Sequence, residues 1–226
     1  PGFSAAFINV RTRLLFALAI SFMLTPLVVE WVPRLPATPV ELFLVMAGEI
    51  TVGSLLGIIG RVMVSALQTA GTVFAFVSSM ANAFVQDPIV DQQSSLVAGF
   101  LGNLGLLLIF ATNLHHLMLS ALVDSYSLFV PGEALPFGDF ADLMARQVMD
   151  SFALGVQMAS PFIITGLTYY IGLGLLGRLM PALPVFFVGL PIQVTVQISI
   201  LALAVSGIMM VFLTDFQNGF TRFLAP

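Results

Sequence analysis

Cysteine and lysine are both missing from this chain, and charge of either sign is scarce. Without cysteine there can be no structural disulfide and no thiolate-held metal, and the redox compartment stays open. All seven basic residues are arginines, scattered along a chain of formal net charge −4. That leaves no basic patch for nucleic acid. Charged residues make up 8% of the chain and hydrophobic ones 59%. An average soluble domain is about 25% charged, so this deficit places the chain in the membrane class. Catalytic signatures are absent as well: there is no Walker loop, nucleophile elbow or His-Glu-x-x-His. The chain reads as a non-enzyme that needs no cofactor. It begins at Pro1 rather than at methionine, and a further N-terminal segment with one more span is expected ahead of it.

What the sequence does have is long apolar runs broken by proline. Residues 14–29 form an apolar stretch of about 16 residues, short of the roughly 20 a span needs. Arg11 and Arg13 precede it and can snorkel, so the helix can start earlier; Pro26 is expected to kink it. A proline-rich turn follows over residues 30–39. After Glu41, residues 42–81 carry only Glu49 and Arg61 as charges. As one helix they would reach about 60 Å, twice a bilayer core of about 30 Å. Either the helix breaks near Gly60, or it is not a simple lipid-facing span. A corner comes next, made of Phe84, Val85, Gln86, Asp87, Pro88, Ile89, Val90 and Asp91. Residues 96–123 are expected to return as one long helix, 124–139 to form a loop, and 141–180 to make a second over-long helix with a kink at Pro161.

The second corner holds Pro181, Pro184, Phe186, Phe187, Gly189 and Pro191. Proline lacks the N–H that continues a helix and restricts the residue before it. Two long helices are therefore expected to meet here irregularly, the second running over 192–213 with a polar-then-apolar tail. The fold class expected is an all-α membrane protein of long helical hairpins with proline corners. Gly-Arg recurs at 60–61 and at 177–178 in similar surroundings, a short echo compatible with a repeat or with chance.

At about 100° per residue, Glu49, Gly53, Gly57 and Gly60 share one helix face. Gly53 and Gly57 form a Gly-x-x-x-Gly pair that lets another helix approach closely. A carboxylate there must be paired, protonated or wet: Glu49 lines a path or binds a coupling ion, or it hydrogen-bonds a neighbouring helix. Gln157, Thr165, Thr168 and Gly172 make a similar stripe, as do Gln193, Gln197, Ala204 and Gly207. Lipid tails cannot satisfy amides, so these faces need neighbours. His115 and His116 are adjacent, point about 100° apart on a helix, and have no carboxylate at i+3 or i+4. That favours a packed pair over a metal site. The eleven methionines fill core, and flexible thioethers also suit a seal around variable cargo.

Several stretches together resemble the FliR/SctT family, flagellar biosynthetic proteins and their virulence-secretion relatives. They are the Ala70-Gly71 step, the Asp87-Pro88 corner, Asn113-Leu-His-His116 with Leu119–Ser125, and above all residues 177–191, Gly-Arg-Leu-Met-Pro-Ala-Leu-Pro-Val-Phe-Phe-Val-Gly-Leu-Pro. The resemblance implies a subunit of the flagellar type III protein export gate in the bacterial inner membrane, at the basal body, its core raised towards the periplasm. It implies FliP-like and FliQ-like membrane partners in a helical hetero-oligomer around a pore, an FlhB-like subunit beside them, and unfolded export substrates. It implies a FliP-like region over 1–126 and a FliQ-like one over 127–226, and a pore plug at Phe84–Asp91. The competing reading is a small-solute secondary transporter with broken helices, the corners re-entrant and Glu49 a proton site. For residues 83–95 the plain alternative is an ordinary connector.

Overall fold

A computed structural model describes residues 2, 8–32, 38–80, 84–87, 92–180 and 185–224. The described elements are α1 (Val10–Val28), α2 (Pro39–Val77), β1 (Phe84–Asp87), β2 (Gln92–Ser95), α3 (Leu96–Ala111), α4 (Leu114–Leu128), α5 (Phe137–Leu179) and α6 (Val185–Thr221). The protein is an all-α membrane protein, with one short β pair among the described residues. Among the described residues α1, α2, α5 and the Gly189–Thr221 part of α6 are each long and apolar enough to cross a membrane, and the bent pair α3–α4 makes a fifth candidate.

α2 starts on a strong local signal. The Thr38 hydroxyl accepts from the Glu41 N–H, Pro39 occupies the first turn, and Glu41 puts an acid at the positive helix end. The helix passes Gly60 unbroken for 39 residues, so the second alternative for this stretch holds. Its end is a Schellman motif: Met80 N–H bonds to Ala75 O at 2.9 Å and Ser79 N–H to Phe76 O at 3.3 Å. Ser79 adopts φ 61°, a left-handed conformation that costs a side-chain-bearing residue roughly 1–2 kcal/mol.

Three expectations are corrected. Residues 96–123 are not one helix: α3 and α4 meet at a 74° bend. Asn113 makes the bend with φ 61°, a conformation asparagine tolerates better than most residues, and its carbonyl accepts from the His116 N–H at 3.0 Å. The following loop is shorter than expected, because α4 runs to Leu128 and α5 begins at Phe137. The last helix is longer than 192–213 at both ends. Pro191 lies inside it, as membrane helices tolerate when neighbours meet the freed backbone groups. The expected tail is helical because Phe212, Phe216 and Phe220, spaced i, i+4, are all buried and stacked in turn. Pro161 likewise lies inside α5, which continues through it.

Close contacts fix how the helices run. Gly155 stands against Thr69 and Gly166 against Val77, so α5 runs parallel to α2. Ser151 on α5 donates to the Val62 carbonyl at 2.6 Å in the same register. α3 returns antiparallel to α2, with Ala98 on Gly71 and Gly105 on Leu67. α6 returns antiparallel to α5, with Gly189 on Tyr169 and Gln197 on Phe162. Two long helices thus lie side by side, each with its own return helix. The Gly-Arg echo does not follow this register. Arg61 sits in mid-α2, whereas Arg178 occupies the last turn of α5, where a cation complements the helix dipole. The core joins α2, α3, α5 and α6 around Ile59, Leu67, Phe74, Leu101, Phe162 and Phe216.

Candidate functional site

The corner between α2 and α3 is a β-hairpin. Phe84 pairs with Ser95, Val85 with Ser94, Gln86 with Gln93 and Asp87 with Gln92, antiparallel. Pro88, Ile89, Val90 and Asp91, the rest of the expected plug, lie outside the described residues. A helix-to-helix connection usually needs only two to eight residues; this one spans from Ser78 to Ser95 and contains a two-stranded element.

Both roots of the hairpin are tied to the bundle. On the α3 side Ser95, 1% exposed, caps its helix by accepting from the Ala98 N–H at 3.1 Å and donates to the Gly71 carbonyl at 3.2 Å. A Cβ on Gly71 would run into the backbone of Ala98, so only glycine allows the two helices to meet there. On the α2 side the Ser79 hydroxyl lies 2.8 Å from Tyr170 Oη. Ser79, Ser95 and Tyr170 were not singled out from sequence. Ser95 ahead of an apolar run is a legible N-cap signal; Ser79 and Tyr170 stand 91 positions apart and carry no joint signal.

The expected packing residues divide. Glu49 accepts a 2.8 Å hydrogen bond from Tyr126 Oη on α4, and also lines a groove of about 600 Å³ with Glu133, Leu135 and Phe137. Gly60 is buried, but Gly53 and Gly57 are exposed, with no other helix near enough to meet a Cβ there. Among the described residues the close-packing glycines include Gly71, Gly105, Gly155, Gly166, Gly189 and Gly219 instead. The Gly-x-x-x-Gly face remains open.

At the second corner Pro181 and Pro184 lie outside the described residues, and Phe186 belongs to the first turn of α6. Phe187 is 83% exposed. The Gly189 carbonyl accepts from Tyr169 Oη at 2.6 Å, and a Cβ on Gly189 would press on Leu173. The Pro191 carbonyl accepts from Thr195 Oγ1 at 2.8 Å. On the α6 stripe Gln193 Nε2 donates to Val77 O at 2.6 Å and Gln197 Nε2 to Phe162 O at 3.3 Å, while Gln197 Oε1 is buried with no partner among the described residues. Thr165 and Thr168 donate to carbonyls of their own helix. Their faces line an apolar groove of about 730 Å³ between α5 and α6.

His115 and His116 stack with centroids 4.2 Å apart, and His115 also packs on Phe110 at 5.1 Å. Among the described residues no group of His, Asp or Glu side chains is arranged to hold a metal ion.

The sequence model of the bacterial export proteins, family 1, matches residues 1–219. The flagellar biosynthetic protein FliR of Caulobacter vibrioides is 40% identical over 218 residues, covering 96% of this chain and 87% of that protein. FliR of Bacillus subtilis is 34% identical over 166 residues, 72% of this chain and 64% of that protein. The Yop proteins translocation protein T of Yersinia pestis is 26% identical over 163 residues, 71% of this chain and 62% of that protein.

Proposed function

The chain belongs to the bacterial export proteins of family 1, and from that premise we propose that it is a non-enzymatic subunit of a flagellar type III protein export gate. Its partners are FliP-like and FliQ-like membrane subunits, with an FlhB-like subunit beside them. Together they form a pore for unfolded export substrates in the bacterial inner membrane, the assembled core raised towards the periplasm. The flagellar branch is favoured because FliR of Caulobacter vibrioides, 40% identical, resembles this chain more closely than the Yop translocation protein, 26% identical, does.

The observation that carries the reading is the hairpin: a β pair held out between two membrane-class helices, with both roots tied down. We read it as a movable plug. Apolar side chains such as Phe84, Val85, Ile89 and Val90 exclude water from a constriction. The open Gly53–Gly57 face and the groove between α5 and α6 suit neighbouring subunits. The pair α2–α3 supports a FliP-like first region and the pair α5–α6 a FliQ-like second one. The first region is read as residues 1–126 and the second as residues 127–226.

Purification from mild detergent tests the function. A stable hetero-oligomer with other small membrane proteins is expected. A lone monomer or homodimer that binds a small solute would overturn the gate and favour a secondary transporter.

A further inference from the structure

Helix α1 carries its charge at the wrong end. Arg11 and Arg13 both stand in its first turn, which holds no acidic residue, and no acid stands between Pro1 and Glu30. The start of a helix is its positive end, where cations are disfavoured. Helix stability therefore does not account for the two arginines. The rest of the chain does not cover this helix either: Val28 alone of its residues is buried, although α1 is long and apolar enough to cross a membrane. α1 meets α4 along an open groove of about 570 Å³. Phe16 and Ile20 of α1 and Leu119 and Leu122 of α4 line its body, and Thr12 and Arg13 line one end. From Val10 to Ser21, the last residue of α1 on the groove, the helix rises roughly 17 Å. Half of a hydrocarbon core of about 30 Å is close to that length. Arg13 is half-buried, so its stem packs in the groove while its guanidinium can reach the headgroup level. Arg11 is exposed and lies about 200° away round the helix, outside the groove.

We propose that this groove binds one anionic phospholipid, with its phosphate on Arg13 and Thr12 and one acyl chain laid between α1 and α4. Charge complementarity selects the occupant. A partner helix would fill the apolar body alone. A phospholipid fills the body and also brings a negative charge to the one end where the arginine stands, at the separation the groove provides. Basic pockets between membrane helices hold anionic headgroups in this way. Arg13 supplies the charge, the Thr12 hydroxyl a donor, and Phe16, Ile20, Leu119 and Leu122 the apolar wall. Bound there, the lipid gives α1 contact surface that its own chain does not supply. Such a site requires a bilayer around α1; it does not require the export gate.

The test uses phosphatidylglycerol and phosphatidylcholine, each with a photoreactive diazirine in one acyl chain, in bilayer nanodiscs that hold the full chain in its purified membrane assembly. Mass spectrometry locates the labelled positions. Phosphatidylglycerol should label Phe16, Ile20 and Leu119 about fivefold more than phosphatidylcholine does, the effect of one basic side chain on an anionic lipid. Phe22, 85% exposed and on the opposite side of α1, should take both lipids alike. Arg13→Gln should abolish the preference in the groove, Arg13→Lys should keep it, and Arg11→Gln should change it less than about twofold, because its side chain is outside the groove. Equal labelling of the groove by the two lipids overturns the site. Equal losses in Arg11→Gln and Arg13→Gln also overturn it, since they mark a general attraction of basic residues to the surface. A groove that neither lipid labels is covered by protein, and the proposal falls with that result too. The wild-type comparison of the two lipids decides the matter even if Arg13→Gln fails to assemble.

Discussion

The two corners of this protein join similar helix pairs and are built differently. Between α5 and α6 only residues 180–184 intervene, and the helices close on each other at once through Tyr169 and the Gly189 carbonyl. Between α2 and α3 the helices also touch closely, at Gly71 and Ala98, yet the chain makes a long excursion through a β-hairpin first. If the only need were to turn the chain round, the short corner shows that a few residues suffice. The extra length at the other corner holds a paired-strand element, flanked by Ser79 and Ser95, both hydrogen-bonded to the bundle.

That contrast breaks most visibly if the hairpin is removed. Deleting residues 85–90 should raise resting ion leakage many-fold while the complex still assembles. No leak in the deletion, together with failure of Phe84→Cys to crosslink to any pore residue, would make the first corner a connector like the second. The crosslink can be read cleanly because the chain has no native cysteine.

The close contacts give the next largest effect. A methyl on Gly71 meets Ala98 backbone, which cannot swing away, whereas one on Gly189 meets Leu173 Cδ2 at 2.8 Å, the end of a flexible side chain. Gly71→Ala should therefore cost roughly 3 kcal/mol or more, and Gly189→Ala about 1 kcal/mol. Thermal inactivation of the solubilised protein would rank them, and equal losses would show that the corners are packed alike.

A smaller effect, confined to assembly, is expected on the open face of α2. Gly57→Val meets nothing among the described residues and should leave its own stability within about 1 kcal/mol, the scale of helix propensity. Recovery of the hetero-oligomer should fall several-fold if a partner helix lies there. Unchanged recovery would mean that lipid or water covers this face.

The smallest change expected is at Glu49. Glu49→Gln can still accept from Tyr126 Oη, so it should cost no more than about 1 kcal/mol and preserve export. Glu49→Leu strands the half-buried tyrosine hydroxyl and should weaken assembly further. Assembly intact but export abolished in Glu49→Gln would favour ion coupling over a plain hydrogen bond.

Much of the architecture was legible because it rests on local rules. Thr38-Pro39 with Glu41 announces a helix start, and proline marks both corners, Pro88 at the first and Pro181, Pro184 and Pro191 at the second. The bend at Asn113 was hidden, because residues on both sides read as one apolar run and asparagine adopts the left-handed conformation only when the packing asks for it. The hairpin was legible as an irregular segment of mixed polarity, but not as paired strands: Phe84 and Ser95 become partners only once the chain has turned back. Residues 214–221 read as a tail because the test was apolar length. Phe216 and Phe220 hold them helical by burial against the core.

Composition by itself determined that this chain belongs in a membrane, since too few charges are available to solvate so much apolar surface. Proline placement marked the corners but not the helix ends, since Pro26, Pro161 and Pro191 lie inside α1, α5 and α6. Which glycines matter was decided only by the tertiary structure. Gly53 and Gly57 carry the recognisable spacing and meet nothing among the described residues, while Gly71, Gly155 and Gly166, with no such spacing, admit the neighbouring helices. A glycine removes a side chain wherever it stands. Whether that gap is filled depends on the register of a helix far away in sequence, and that register is set by packing the whole core at once.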